Sequence, residues 1–331
     1  MAFNSTVITS ALTQYVDQLA MDLVREMVLQ GRTQKYISVQ TGVKYADALN
    51  IMTSNPVLQA AGCGQLSATG SVTLSQANLV VCPLMIEEQI CLNGANSLEQ
   101  YWTGKLMKQG SYYDELEPIQ FAKVYTADKV DKIQGIIDDL IWVGSPSGTY
   151  SADANMTKCN GFLYLIDNTY SASVVNVGGT SNPGGFGTYS GALTSTNAIA
   201  VVDAMADALP KNLWDAEDLT LFLSYANFRT YVRALRNANY YHFTAMESND
   251  IGYSIMHPGT NIRILATRGL NGSNRMVLSS ASNLYFGTDL QNDYESFRIW
   301  KSEDFNSIFF RALWKQGVQI AYPQYVVNYK G

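Results

Sequence analysis

Residues 10–30 set Leu12, Val16, Leu19, Leu23 and Met27 at helical spacing, with Ser10 placed as a cap and Gly31 as a stop. The chain is therefore expected to open on an amphipathic helix. Between 33 and 92 the pattern changes to short β-prone pieces, YISVQTGV, GSVTLSQANLVV and LMIEEQICL, separated by small and turn residues. These pieces lack the regular apolar alternation that seats one face of a strand on a core. Strands of ~10–15 residues at ~3.3 Å per residue span ~35–50 Å, whereas a compact domain of this length has a radius of gyration of ~20 Å. A long hairpin here would overhang its own domain and expose unpaired edges, which solitary proteins avoid. It makes physical sense where a neighbouring subunit receives it. A strand pair folded flat on the core is the other reading.

A short helix is expected within 96–113, followed by a long one from Pro118 to about Trp142, with Val130, Ile133, Ile137, Leu140 and Ile141 on one stripe. Gly144-Ser145-Pro146-Ser147-Gly148 ends it and marks the clearest domain boundary. Beyond it, FLYLI (162–166) reads as a buried strand, and a helix from Thr196 to Leu209 turns Ala198, Val201, Val202, Met205 and Leu209 inward. LTLFLSY (219–225) reads as a second apolar strand, followed by a helix over about 226–240 carrying Phe228, Tyr231, Val232 and Leu235 at i, i+3, i+4 and i+7. NIRILATRGL and RMVLSS continue the sheet. From Asn283 to Val327 the period becomes two: Phe297 and Ile299, then Val318, Ile320 and Tyr322, alternate with their neighbours. Gly287, Asn292-Asp293 and Gly317 supply turn or bulge signals around those strands.

Composition adds one constraint. Charged residues are 15% of the 331, against a usual fraction of about 25%. With 21 Tyr, 12 Phe and 5 Trp beside only 22 Lys and Arg, the chain resembles an interface core in its chemistry. Much of its surface is expected to be covered by copies of itself. A net charge of −6 and the lack of any basic run argue against a protein that grips phosphates. No apolar run reaches the ~18 residues that span a membrane. Residues 1–10 lack the basic start and apolar middle of a signal peptide, so a cytoplasmic origin is expected, with the cysteines mostly as reduced thiols.

Candidate chemistry is sparse. VGGTSNPGGFGTYSG (177–191) carries Gly178, Gly179, Gly184, Gly185 and Gly187, but neither the lysine of a phosphate loop nor the spacing of a dinucleotide loop. It reads as a mobile surface loop. His242 and His257 are the only histidines, with no matched nucleophile or ligand set, so each reads as a packed or surface residue. Cys63, Cys82, Cys91 and Cys159 show no CxxC spacing. Cys63 and Cys91 flank the hairpin and can approach each other, so a disulfide and buried free thiols both stay open. Asp138 and Asp139, adjacent on a helix, point ~100° apart and read as a solvated helix face. No metal or cofactor is expected.

The order of parts, with VQTGVKYADALNIM (39–52), GCGQLSATGSVTLSQ (62–76), EEQICL, LEQYWTGKLMKQGSYYD (98–114) and FRALWKQGVQIAYPQYVV, resembles the major capsid proteins of tailed bacteriophages, the Hong Kong 97-type fold. These strings look like those of phages infecting Bacteroidetes. The resemblance covers essentially the whole chain. It implies an α+β fold with an N-terminal arm and helix (1–35), an extended β-hairpin loop (36–92), a peripheral domain with a long spine helix (93–150), an axial domain (151–285) and returning peripheral strands (286–331).

It further implies a non-enzymatic major capsid protein that assembles as hexamers and pentamers into the icosahedral head and encloses double-stranded DNA. Lys44, Cys63, Thr69, Gly70 and Thr73 would lie in the intersubunit loop. Gly178, Gly179, Gly184 and Gly185 would lie in a loop of the axial domain. Implied partners are the protein itself, portal, scaffold and decoration proteins, with no cofactor, and the implied location is the virion after assembly in the bacterial cytoplasm. Because the first helix starts within about ten residues of Met1, a fused scaffolding segment is expected to be absent. Lys44 is the only lysine in the loop, and the Lys–Asn crosslink of some relatives is not expected. The alternative is an encapsulin-type nanocompartment shell with an enzyme cargo. A third reading is an α/β enzyme using the 177–191 loop.

Overall fold

A computed structural model of the chain describes residues 13, 19, 22–23, 26–59, 69–92, 118–177, 191–238, 253–289, 297–302 and 305–331, with side chains of 118–124 left aside. Leu23 and Met27 of the opening helix are buried, whereas Leu12 and Val16, and the short helix expected within 96–113, lie outside the described residues.

The long helix α1 runs Pro118–Val143, 26 residues, or ~39 Å at ~1.5 Å per residue. Its stripe of Val130, Ile133, Ile137, Leu140 and Ile141 is buried. The stripe faces a five-stranded sheet made of β1 (Ser38–Thr41), β4 (Cys82–Cys91), β10 (Leu284–Thr288), β11 (Phe297–Ser302) and β12 (Ser307–Ile320). The 14-residue β12 organises this sheet, pairing antiparallel with β4, β10 and β11, while β1 lies parallel to β10. Ile308, Phe310, Ala312 and Trp314 of β12 point into the core at period two. β4 alternates between partly buried and exposed positions along its whole length, an alternation not anticipated for this region.

The second sheet has six strands in the order β5-β13-β9-β6-β8-β7. They are β5 (Val175–Val177), β6 (Leu219–Ser224), β7 (Ser254–Met256), β8 (Arg263–Thr267), β9 (Met276–Ser280) and β13 (Val327–Tyr329). Every residue of β6 is buried because both faces of the sheet are covered. Phe222, Leu265 and Val277 point to the α1 side, whereas Leu221, Leu223, Ile264, Ala266 and Leu278 point to a separate core. That second core is closed by α2 (Ala198–Asp207) and α3 (Tyr225–Asn237). β6 and β8 are parallel, and α3 lies in the crossover between them. Ser224 caps α3 by accepting from the Asn227 N–H at 3.2 Å.

Trp142 locks α1 to the second sheet. Its ring is fully buried, with centroids 5.3 Å from Phe162 and 4.9 Å from Phe222, and its Nε1 donates to Thr33 Oγ1 at 3.0 Å.

Four expectations are corrected. FLYLI is helical: a turn of α-helix at Phe162–Tyr164 runs into a π-helical turn at Leu165–Thr169. A short, wholly buried run carries no period, so strand and helix cannot be told apart in sequence. Gly287 and Gly317 lie within β10 and β12, opposite each other in an unbroken register, rather than at turns or bulges. Asp138 is buried rather than solvated: its Oδ1 accepts from the Thr33 N–H at 3.3 Å, because the N-terminal segment covers that flank of α1. The cysteines are not all thiols: Cys82 and Cys159 are joined in a disulfide, and Cys91 is free and exposed rather than buried.

Candidate assembly surface

Between β1 and β4 the chain leaves the body as a two-stranded antiparallel hairpin, β2 (Ala46–Asn55) with β3 (Ser71–Val80). Ten residues on each arm give a reach of ~33 Å. The register runs unbroken for ten residues, Ala46 opposite Val80 through Asn55 opposite Ser71, and among the described residues leaves the outer edge of each arm without a strand partner in this sheet. Gln76 Nε2 donates to Asn50 Oδ1 across the arms at 2.9 Å.

Because opposed residues share a face, Met52 and Leu74 stand together on one side, with Val72 beside them opposite Ser54. Met52 is 62% exposed, Leu74 76% and Val72 63%, so this face presents apolar surface to water. Val57 and Leu58, just beyond β2, are exposed too. An isolated two-stranded hairpin is marginal in water. Grouped exposed apolar side chains on such an element mark a surface that another molecule covers.

The root is built differently. Leu79 is fully buried with Val43 and Val81, and Leu49 packs on them. The Val81 N–H donates to the Tyr45 carbonyl at 3.0 Å, closing the two arms, and Gln319 Nε2 of β12 donates to the Asn78 carbonyl at 2.7 Å. A Cβ at Gly317 would fall on the Val80 carbonyl, so the arm crosses β12 where no side chain stands.

Among the residues singled out in sequence, Thr73 is paired with Thr53 near the far end of the hairpin. The Thr69 hydroxyl meets the Gln59 amide there. Gly70 lies against the opposite arm, where a Cβ would sit 3.2 Å from the Asn55 carbonyl. Lys44 is exposed at the bend before β2, at the root, so it is not grouped with the other three. Cys63, Gly178, Gly179, Gly184 and Gly185 lie outside the described residues. Sequence reasoning missed the Met52–Leu74–Val72 face, which becomes visible only once the cross-strand register is known.

Two buried polar clusters lie elsewhere. The Tyr231 hydroxyl is 2.7 Å from His257 Nδ1, and His257 Nε2 is 2.8 Å from Asp203 Oδ1, between α2, α3 and the turn after β7. Burial lowers the His257 pKa while Asp203 pulls it back up, and burial raises that of Tyr231. On α1, burial raises the Asp138 pKa against the hydrogen bonds from Thr33, and raises Asp139 to about 6 against the attraction of Arg268. Tyr231 and His257 are buried among α2, α3 and the second sheet, so the hydroxyl–imidazole–carboxylate chain serves packing, and Asp138 and Asp139 are engaged by Thr33 and Arg268. Among the described residues no group of His, Cys, Asp and Glu could hold a metal ion, and no helix is long and apolar enough to cross a membrane.

No family model matches the sequence, and no curated protein matches it. Solved structures do. A chain of the satellite phage P4 procapsid including size determination (Sid) protein covers 94% of this chain and 90% of its own, at 11% identity and a TM-score of 0.58. A chain of the cyanophage A-1(L) capsid asymmetric unit covers 100% of this chain and 94% of its own, at 13% identity and a TM-score of 0.55. The chain has the mixed α+β fold of phage capsid subunits of the Hong Kong 97 type.

Proposed function

We propose that this chain is the major capsid protein of a tailed phage, a non-enzymatic subunit that tiles an icosahedral head as hexamers and pentamers around double-stranded DNA. The single observation that carries the reading is the hairpin: a long, apolar-faced arm projecting from a body of capsid fold. The outer part of the extended loop, with Cys63, Thr69, Gly70 and Thr73, would lie on an adjacent subunit, with Lys44 at its root. The loop bearing Gly178, Gly179, Gly184 and Gly185 would belong to the part of the subunit nearest the capsomer axis. Each contact can be modest, because many simultaneous contacts multiply into a stable shell. An acidic chain of net charge −6 suits a container that holds DNA without gripping it, filled through a portal and assembled in the host cytoplasm with a scaffold and decoration proteins.

The test is sedimentation velocity with negative-stain electron microscopy of the expressed chain, alone and with its scaffold partner. Capsomers or closed shells of uniform diameter are expected. A single monomeric species at every protein and salt concentration contradicts the reading.

A further inference from the structure

Cys82 and Cys159, 77 positions apart, are joined in a disulfide across Cα atoms 6.1 Å apart, inside the range that a disulfide spans. Cys82 opens β4 immediately after Val81, whose N–H closes the two arms of the hairpin on Tyr45. Cys159 is buried just beyond the end of α1, where the Gly161 N–H donates to the Gly144 carbonyl at 2.8 Å. The bond therefore ties the point where the hairpin leaves the body to the end of the long helix. Cys91, at the other end of β4, is free and exposed and takes no part.

We propose that Cys82 and Cys159 form a redox-closed clasp on the hairpin root. In a reducing compartment the pair stands as two thiols and the root is held by packing alone. Under oxidising conditions it closes and fixes the arm to α1. With oxidised glutathione as oxidant, one thiolate attacks a glutathione sulfur, releasing one glutathione thiol and leaving a mixed disulfide. The second cysteine thiolate then attacks the cysteine sulfur of that mixed disulfide, forming the S–S bond and expelling a second glutathione thiol. Two protein thiols lose two protons and two electrons, and glutathione disulfide gains them. That the clasped arm reaches a neighbouring subunit rests on the shell reading above; the chemistry of the pair does not.

Closing so long a loop removes many conformations from the unfolded chain, so the oxidised protein is expected to melt about 5 °C or more above the reduced protein. The test takes full-length protein, reduced with a phosphine or treated with oxidised glutathione. The four cysteines should give four titratable thiols in denaturant when reduced and two when oxidised, with Cys82 and Cys159 in one crosslinked peptide. Cys82→Ser and Cys159→Ser should assemble like the wild type in reducing buffer and lose the oxidation-dependent rise in melting temperature. Four thiols after oxidation, a crosslink to Cys91 or Cys63 instead, or equal melting of the two forms would overturn the clasp. If the wild type forms no particles the shell reading fails, while thiol count and peptide map still decide the clasp on the soluble protein.

Discussion

Gly287 and Gly317 stand opposite each other across β10 and β12, and the root of the hairpin lies directly over both. A Cβ at 317 would meet the backbone of Val80 and Val81, and one at 287 would come within 2.8 Å of the Leu79 side chain. The paired gap thus sets the path along which the arm leaves the body.

The two glycines should respond differently to substitution. Gly317→Ala meets backbone that cannot rotate away, so a loss of about 1–3 kcal/mol and a displaced arm are expected. Gly287→Ala meets the end of a side chain, and shortening Leu79 to Val should recover part of its cost. A double-mutant cycle in urea checks this; additive losses for Gly287→Ala and Leu79→Val would contradict the direct contact.

Trp142 should be the costliest aromatic in the long helix. Trp142→Ala opens a cavity between Phe162 and Phe222 and is expected to cost about 3–5 kcal/mol. Trp142→Phe keeps most of the packing but removes the donor to Thr33, so a smaller loss of about 1 kcal/mol is expected. Denaturant unfolding of the unassembled subunit measures both.

Acid should act on two groups in opposite senses. Burial holds His257 below its ordinary 6.5, so below that pH the unfolded chain binds a proton that the folded state resists, and stability falls as pH drops toward the lower folded value. Asp139 is raised from 3.8 to about 6, so the folded state keeps a proton that the unfolded chain has lost, and this contribution grows as pH falls through that window. Urea midpoints between about pH 7.5 and 4 should show a shallower acid-induced drop in His257→Gln and a steeper one in Asp139→Asn than in the wild type. Unchanged pH slopes in both variants would contradict the assignment.

The exposed hairpin face should matter to assembly and not to the fold. Met52→Ser with Leu74→Ser is expected to leave monomer stability within about 0.5 kcal/mol, since both side chains face water. The yield of assembled particles should drop at least tenfold by sedimentation.

Much of this was legible in the sequence, element by element. The stripe from Val130 to Ile141, the inward residues of α2 and the buried β6 follow from apolar period and length, and these are local properties. The hairpin was legible as overlong, but not its bounds: of the 36–92 expected in it only the arms β2 and β3, within 46–80, leave the body, while β1 and the alternating β4 join the sheet of β12. What escaped depends on contacts between distant segments. Gly317 looks like a turn glycine until β3 is laid across it, and Asp138 looks solvated until Thr33 covers it. Cys82 and Cys159 are unremarkable across 77 positions until the root of β4 meets the end of α1. Cross-strand neighbours such as Met52 and Leu74 likewise require a register that single strands do not encode.

The most direct measurement removes the outer arm and keeps its root. Leu49 and Ala77 are cross-strand partners, so an Asn-Gly turn can join them in place of residues 50–76 while Leu79 stays over the glycine gap. The shortened chain should show the wild-type circular dichroism spectrum and cooperative melting, yet yield no shells in electron micrographs under conditions where the full chain assembles. Shells of normal diameter from the shortened chain would contradict the claim that the hairpin joins one subunit to the next.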